Sequence, residues 1–339
     1  MKVTLIGAAL AALSFTTMTA QAGTLEDVQA RGELNCIVTT GLAGFAAPDE
    51  NGRWDGFDAG FCRAVAAAVV GDGEKVKFVP STGKTRFTML NSGEGDILFR
   101  NTTETMSRDT DLKLNFLPIN YYDGQGFMVR KDLGVTSAQE LDGASVCIQT
   151  GTTTELNLAD FFRANGMGYE PVNIETNEEG LASYSGNRCD VYTTDASGLA
   201  STRAALDDPS AHIILPEIIS KEPLGGATRH GDDEWSDIAK WVVNAIIIAE
   251  ELGITKDNIG ELCAEAGDNP SINRICGTEG DMGSMIGLDA QWAVRAISVG
   301  GNYAELFNAH VGPDTPLGLA RGLNASWRDG GILYAAPIR

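Results

Sequence analysis

The chain has 339 residues, is 43% hydrophobic and carries a formal net charge of −21 at pH 7. An acidic surface of this kind repels phosphate backbones, and no basic stripe offsets it, so nucleic acid is excluded as a partner. The length exceeds what a single hydrophobic core usually supports, which predicts two structural units.

The first 22 residues have the pattern of a secretory signal peptide. Lys2 precedes an apolar stretch over residues 3–15, and the sequence A-Q-A at 20–22 offers a small-residue cleavage site. The apolar stretch is shorter than the ~20 residues that span a bilayer. No cysteine at the cleavage site can carry a lipid. We therefore expect a soluble exported chain that begins near Gly23, as in a Gram-negative periplasm; a buried first helix is the alternative.

The cysteines form an even set without a C-x-x-C pair, which favours disulfides over zinc or thioredoxin chemistry in an exported chain. Pairing neighbours in sequence keeps each bridge inside one lobe of the fold described below. The sequence leaves other connectivities and free thiols open. The neighbouring pairs are Cys36 with Cys62, Cys147 with Cys189, and Cys263 with Cys276.

After the signal peptide, strand and helix patterns alternate. A βαβαβ order favours a parallel sheet with right-handed crossovers. The predicted elements are strand Leu34–Thr39, helix Phe57–Val70, strand Val76–Val79, helix Thr85–Asn91 and strand Asp96–Arg100.

A second unit of similar type begins near Gly126, and the chain returns to the first unit with a long helix. Glycines near both connections, at residues 121–126 and 220–226, suit a two-strand hinge. The predicted division is a signal peptide at 1–22, a first lobe at 23–124, a second lobe at 125–222, and a return to the first lobe with a C-terminal extension at 223–339. The predicted elements are strands Phe127–Arg130, Ser145–Gln149 and Cys189–Thr193, and helices Thr154–Ala164, Glu234–Leu252 and Leu288–Val299.

The segment N-T-T-E-T-M-S-R at 101–108 follows the strand that ends at Arg100, and it predicts a loop that binds a carboxylate. The Arg108 guanidinium can grip a carboxylate with two parallel hydrogen bonds, and Asn101 and Thr103 can donate further bonds. A solvated loop with an exposed charge is the alternative.

Two further segments complement this one. Thr152 and Glu155 form a T-x-x-E capping box at a strand-to-helix turn, and free N–H groups at such a helix start attract anions. Asp195 ends a strand and can accept hydrogen bonds from an ammonium group, or it can simply cap the following helix. Together the three segments match the two charged ends of a zwitterionic amino acid.

On these motifs the sequence resembles the amino-acid-binding proteins of bacterial ABC uptake systems. The resemblance covers essentially the whole mature chain, and its length and C-terminal sequence resemble the general L-amino-acid-binding subgroup. It implies an α/β, two-lobed periplasmic binding protein fold in which each lobe is a mainly parallel sheet flanked by helices. The motifs that carry it are residues 52–58, 96–108, 146–155, 190–195 and the C-terminal stretch 321–339.

By position, the resemblance assigns the ligand carboxylate to Arg108, with Asn101 and Thr103 as loop partners and Thr153 as the contact from the second lobe. It assigns the α-amino group to Asp195. The stretch 39–45 lacks the acidic residue of relatives that select basic side chains, which favours a broad, neutral pocket. Arg100 could favour acidic or amide side chains, with an outward charge as the alternative.

The resemblance implies a monomer without a cofactor or metal that captures L-amino acids and delivers them to an inner-membrane ABC permease. An exported dehydratase-like enzyme and a ligand sensor that docks on a receptor are the alternatives. We expect no enzyme, because the three histidines, His212, His230 and His310, lie outside the binding segments and no G-x-S-x-G motif occurs.

Overall fold

The computed structural model describes residues 23–265 and 267–339, so the predicted signal peptide lies outside the described residues. The strands are β1 (Leu34–Thr39), β2 (Ala47–Pro48), β3 (Trp54–Asp55), β4 (Val76–Ser81), β5 (Ile97–Thr103), β6 (Leu114–Asp123), β7 (Gln125–Arg130), β8 (Ser145–Gln149), β9 (Glu170–Ile174), β10 (Val191–Asp195), β11 (His212–Ile214) and β12 (Glu222–Arg229). The helices are α1 (Thr24–Arg31), α2 (Phe57–Val70), α3 (Arg86–Ser92), α4 (Met106–Thr110), α5 (Thr153–Ala164), α6 (Asn177–Ser185), α7 (Ala196–Ala204), α8 (Asp233–Glu251), α9 (Ile259–Ala264), α10 (Pro270–Ile275), α11 (Trp292–Gly300) and α12 (Tyr303–His310).

The strands form two five-stranded sheets and a short β2–β3 ribbon. The first sheet has the order β4-β1-β5-β12-β6, and the second has the order β11-β7-β10-β8-β9. In each sheet one strand, β12 or β7, runs antiparallel to both of its neighbours, and the other strands share one direction. We refer to each sheet with its helices as the first and the second lobe. The predicted α/β class, with two mainly parallel sheets flanked by helices, is confirmed.

The chain passes between the lobes twice, and the two connections lie side by side. β6 in the first sheet is followed after Gly124 by β7 in the second sheet, and the return lies between β11 and β12. The Gln125 amide donates to Ser220 Oγ at 3.1 Å, and the Ile219 amide donates to the Gln125 carbonyl at 2.9 Å. A Cβ on Gly124 would lie 2.8 Å from the Ser220 carbonyl oxygen, so only glycine permits this close approach.

β5 is longer than predicted, and the predicted loop at 101–108 is correspondingly shorter. The strand continues to Thr103, and α4 begins at Met106. The cause is a long-range pairing, because β12 places Gly225 opposite Thr102 and Leu224 opposite Thr103. The predicted helix start at Leu288 is also wrong, since residues 288–291 are not helical and α11 begins at Trp292.

The core of the first lobe is a cluster of aromatic side chains between α2, β6 and α12. The Phe57 ring lies edge-on to the rings of Tyr121, Tyr303 and Phe307, with centroid distances of 5.5–6.3 Å. Such edge-to-face pairs stabilise a core beyond their burial alone. The cluster therefore fixes the inter-lobe end of β6 against the helices.

The C-terminal extension packs on the first lobe beside the crossover. Arg321 Nη2 lies 2.9 Å and 3.0 Å from the two carboxylate oxygens of Glu250, and its guanidinium stacks over Tyr303. Asn324 accepts a hydrogen bond from the Tyr122 amide at 2.6 Å and donates one to the Tyr122 carbonyl at 3.1 Å. The extension thus holds the last residues of β6 next to the crossover.

The three disulfides join neighbouring cysteines, as the pairing by sequence neighbours predicts. They are Cys36–Cys62, Cys147–Cys189 and Cys263–Cys276, with Cα–Cα distances of 6.0, 5.6 and 5.3 Å. Each bridge lies within one lobe. Over residues 23–265 and 267–339, no helix is both long enough and apolar enough to cross a membrane.

Candidate functional site

A cavity lies between the lobes, at the carboxyl ends of β5, β8 and β10, where open α/β sheets place their ligands. The predicted residues Arg100, Asn101, Thr103, Thr152, Thr153 and Asp195 all line it. The structure adds Arg86, Gln149, Thr154 and Thr194 to the lining.

Arg108 lies buried next to this cavity, on the first turn of α4. The turn is fixed by Thr105, whose hydroxyl accepts a hydrogen bond from the Arg108 amide at 3.3 Å. The guanidinium donates from Nη1 to the Thr103 carbonyl at 2.7 Å and lies 5.1 Å from the centroid of the Phe87 ring. Burial lowers the pKa of Arg108 to about 10, against the opposing effect of Glu222 and Asp195. The group therefore stays charged at neutral pH.

Arg100 points into the protein and not outward. Its side chain is buried and lines the cavity, and Nε donates to the Ser81 carbonyl at 3.2 Å. The alternative of a simple outward charge is therefore wrong. Burial lowers the pKa of Arg100 to about 10, with the nearby Arg108 charge adding to the effect.

Asn101 lies in β5, two residues before its end, and has a left-handed backbone at φ 34°. Asparagine tolerates this region better than most residues with a Cβ. The Asn101 amide donates to the buried carboxylate of Asp58 at 2.9 Å. Burial raises the pKa of Asp58 to about 6, although this hydrogen bond and one from Asn120 oppose the shift. The contact ties the cavity wall to the start of α2.

The start of α5 presents main-chain N–H groups from the second lobe. Thr152 Oγ1 accepts from the Glu155 amide at 3.3 Å, as the capping box predicts. The Glu155 carboxylate instead accepts from the Gly151 amide at 3.0 Å, one residue before the N-cap. In the part of the chain that the structure describes, the amides of Thr153 and Thr154 have no acceptor. They remain able to bind an anion.

Asp195 is a buried carboxylate at the end of β10, and the alternative of a plain helix cap is wrong. Its side chain makes no capping hydrogen bond to α7, and no donor bonds it within residues 23–265 and 267–339. Burial raises the pKa of Asp195 well above its ordinary value, and the charges of Asp123 and Glu222 raise it further. Arg108 and Arg86 oppose this shift. A cation beside Asp195 would therefore stabilise its ionised form.

Glu222, which the sequence reasoning missed, connects both lobes from the second crossover. It is 1% exposed, and its carboxylate accepts from Thr103 Oγ1 of the first lobe and from Thr153 Oγ1 of the second at 3.0 Å. Asn157 Nδ2 and Ser220 Oγ donate to its other oxygen at 2.7 and 2.6 Å. In this conformation the hydroxyl groups of Thr103 and Thr153 thus donate their hydrogen bonds to Glu222.

Arg86 is a second cavity residue that the sequence did not predict. It begins α3 at the edge of the cavity, 2% exposed, and its guanidinium lies 4.6 Å from the centroid of the Phe87 ring. A signal was present, because the positive end of the helix dipole disfavours an arginine in the first turn. An arginine kept there indicates a partner outside the helix.

Three guanidiniums, those of Arg86, Arg100 and Arg108, therefore meet at one site without an ion pair. Among the described residues, no carboxylate oxygen lies within 4.0 Å of their nitrogens. Unpaired buried charges are strongly unfavourable. Together with Asp195, the arrangement suits a ligand that has an anionic and a cationic group.

The lobes touch each other around the cavity. Asn177 Nδ2 of α6 donates to Thr39 Oγ1 at 2.9 Å, and Ser201 Oγ of α7 donates to the Ala43 carbonyl at 2.8 Å. The stretch 39–45 thus supplies contacts between the lobes. At Gly83 a Cβ would lie 2.8 Å from the Thr150 carbonyl oxygen across the cleft. The conformation is closed.

No group of three or more His, Cys, Asp or Glu side chains within the described residues is placed to hold a metal ion. None of the three histidines lines the cavity. The His212 ring hydrogen-bonds to Tyr184 Oη at 2.8 Å. His230 lies 3.9 Å from the Asp109 carboxylate, and His310 lies 3.9 Å from the Asp55 carboxylate.

The sequence over residues 34–258 matches the model of the bacterial extracellular solute-binding proteins, family 3. This match spans well over half of the chain. The protein belongs to this family. The family assignment confirms the resemblance inferred from the binding segments.

Similar proteins that match over nearly the full chain support the assignment to family 3. The glutamate/glutamine/aspartate/asparagine-binding protein BztA of Rhodobacter capsulatus is 60% identical over 320 residues, which are 94% of each chain. The general L-amino acid-binding periplasmic protein AapJ of Rhizobium johnstonii is 56% identical over 98% of this chain and 97% of its own. A solved structure of an ABC transporter periplasmic binding protein from Brucella ovis, with glutathione bound, has a TM-score of 0.91 at 54% identity and covers 94% of this chain and 100% of its own. The fold is that of a periplasmic binding protein.

Proposed function

We propose that this family 3 protein captures an L-amino acid between its lobes and delivers it to the permease of an ABC transporter. The observation that carries the proposal is a pair of buried charges without an ion-pair partner among the described residues. Asp195 of the second lobe lines the inter-lobe cavity, and Arg108 of the first lobe lies directly behind its wall, on the carbonyl of Thr103. Two relatives that are more than half identical are named as amino-acid-binding proteins, which supports the same conclusion.

In this proposal the ligand carboxylate binds the Arg108 guanidinium and the free amides of Thr153 and Thr154 at the start of α5. Thr153 acts through its main-chain N–H, because its hydroxyl donates to Glu222. Asn101, Thr103 and Thr152 shape the wall around this group. Asp195 accepts the α-ammonium group. Uniform recognition of the two backbone ends explains tolerance of several side chains.

Ligand capture is a population shift toward the closed state. Only the closed conformation brings Arg108 and Asp195 to the same molecule, so the ligand's differential affinity drives closure. The proposed lobes are residues 23–124 with 223–339, and residues 125–222, and the hinge lies at the crossovers beside Gly124 and Ser220. The closed form is the one that the permease recognises.

We place the mature protein in the periplasm as a monomer, after removal of residues 1–22. We propose that it is a carrier and not an enzyme, because the two relatives that are more than half identical are named as binding proteins. A sensor that docks on a receptor would use the same cleft. Uptake of radiolabelled ligand by cells with and without the chain separates transport from sensing.

The test of the proposed function is isothermal titration calorimetry with the refolded, ligand-stripped mature protein. We expect tight binding of several standard L-amino acids and no comparable binding of the D-enantiomers. With the carboxylate on Arg108 and the ammonium group on Asp195, a D-enantiomer would direct its side chain to the opposite side of Cα, against the closed cavity wall. Absence of binding for every L-amino acid would overturn the proposal.

Closure itself is tested by Gly83→Ala. The added methyl group would contact the Thr150 carbonyl only when the lobes are closed. We expect ligand binding to weaken by about 1–3 kcal/mol, the typical effect of overpacking, with unchanged thermal stability of the ligand-free protein. Gly260→Ala is the control, because nothing lies within 4 Å of its Cβ position. Equal affinities of wild type and Gly83→Ala would contradict the closed binding state.

Ligand binding is expected to depend on pH through Asp195. Burial and the charges of Asp123 and Glu222 raise the pKa of Asp195, and a bound ammonium group would lower that pKa again. Binding therefore releases a proton wherever free Asp195 is protonated, and affinity falls by up to about tenfold for each pH unit below that pKa. Calorimetry in buffers with different ionisation enthalpies measures the released protons. Asp195→Asn should remove the release, and a release that persists in this variant would contradict the role of Asp195.

A further inference from the structure

Within the described residues, no hydrogen-bond or ion-pair partner accounts for the position of Arg86. It is 2% exposed, lines the inter-lobe cavity, and its Nε has no hydrogen-bond acceptor in the described part of the chain. Arg108 and Arg100 differ in this respect, because each donates to one main-chain carbonyl, that of Thr103 or Ser81. A buried guanidinium nitrogen without a hydrogen-bond acceptor is unfavourable. The position of Arg86 therefore indicates that the ligand supplies an acceptor.

The charges around Arg86 indicate the kind of acceptor. Burial lowers the pKa of Arg86 well below its ordinary value, and the positive charges of Arg100 and Arg108 lower it further. The opposing carboxylates, Asp195 and Glu222, make no hydrogen bond or ion pair with Arg86 within residues 23–265 and 267–339. Burial and the two neighbouring guanidiniums thus disfavour the charged form of Arg86, and a negative charge on the ligand next to it would offset both effects.

Arg86 and Arg108 lie over the same aromatic ring. Their guanidinium carbons are 4.6 and 5.1 Å from the centroid of Phe87. Cation–π contacts of this kind hold planar guanidiniums in place. An α-carboxylate on Arg108 would leave the Arg86 guanidinium, which makes no ion pair within the described residues, free to bind a second anionic group of the ligand.

We propose that Arg86, supported by Arg100, binds a carboxylate on the ligand's side chain and makes the cavity selective for acidic L-amino acids over their amides. This inference rests on the proposed function and deepens it, because it names the ligand class. It also separates the roles of the arginines. Arg108 binds the end that all L-amino acids share, and Arg86 reads the side chain.

The test is titration of wild type and Arg86→Gln with L-glutamate and L-glutamine, which have nearly the same shape and differ in charge. We expect wild type to bind glutamate more tightly. Arg86→Gln should weaken glutamate binding on the order of 10- to 100-fold, the effect of one charge-assisted hydrogen bond, with a much smaller change for glutamine. Arg188→Gln is the matched control, because Arg188 is exposed on the second lobe and away from the cavity.

The outcomes separate this inference from the proposed function. Equal losses for glutamate and glutamine, or a wild type without preference for glutamate, would overturn the role of Arg86 and leave amino-acid capture standing. Failure of wild type to bind any L-amino acid would overturn the proposed function. Arg86→Lys provides a second variant if Arg86→Gln does not fold. It keeps the charge without the planar fork, and we expect a smaller loss of glutamate preference, whereas an unchanged preference would contradict recognition by the fork.

Discussion

Arg108→Ala is expected to weaken L-amino-acid binding by about 2–5 kcal/mol, the usual result of leaving one member of a buried charge pair unpaired. This corresponds to a loss of affinity from ~30-fold to several thousand-fold. The reason is that the ligand carboxylate would remain in a closed cavity without the guanidinium fork that donates hydrogen bonds to it. Isothermal titration calorimetry with the tightest-binding L-amino acid measures the change.

Two controls make the Arg108 result specific. Arg188→Ala removes an exposed arginine and should leave affinity unchanged. Arg108→Lys keeps the charge but loses the bidentate geometry, so an intermediate affinity is expected. Thermal unfolding of the ligand-free Arg108→Ala protein shows whether it folds. Wild-type affinity in a folded Arg108→Ala variant would remove Arg108 from the binding site.

Asp195→Asn is expected to weaken binding of ligands that carry an α-ammonium group by about 2 kcal/mol or more, since a buried ammonium loses its charged acceptor. The loss should be far smaller for an analogue that lacks the amine. Wild type and Asp195→Asn are each titrated with the amino acid and with its analogue that lacks the amine. The four affinities form a thermodynamic cycle that gives the interaction between Asp195 and the α-ammonium group.

Asp207→Asn is the matched control for Asp195→Asn. Asp207 is exposed after α7 and lies away from the cavity, so its replacement should change neither affinity. If the analogue without the amine loses as much affinity as the amino acid on Asp195→Asn, the carboxylate stabilises the closed fold and does not bind the ammonium group.

Much of the fold could be predicted because local patterns determine it. The bounds of β1 and α2 agree with the alternation and helical spacing of their apolar residues. The end of β5 could not be predicted, because it depends on pairing with β12, more than 100 residues later. A strand that a distant partner extends has no local signal.

At the site, the sequence was most informative where a residue type is unusual for its local position. Arg108 and Asp195 stood out because each charged side chain follows a strand end. Glu222 did not, because a glutamate near a hinge is common, and Arg86 offered only the weak signal of an arginine in the first turn of a helix. Their significance depends on burial at 1% and 2% exposure, which only the assembled lobes produce.

The measurement that tests the central claim most directly is a crystal structure of the mature protein with its tightest-binding L-amino acid. We expect the α-carboxylate within hydrogen-bond distance of the Arg108 guanidinium and of the Thr153 amide, and the α-ammonium group on Asp195. A ligand bound in the cavity with its ammonium group away from Asp195, or a ligand bound outside the cavity, would contradict the account.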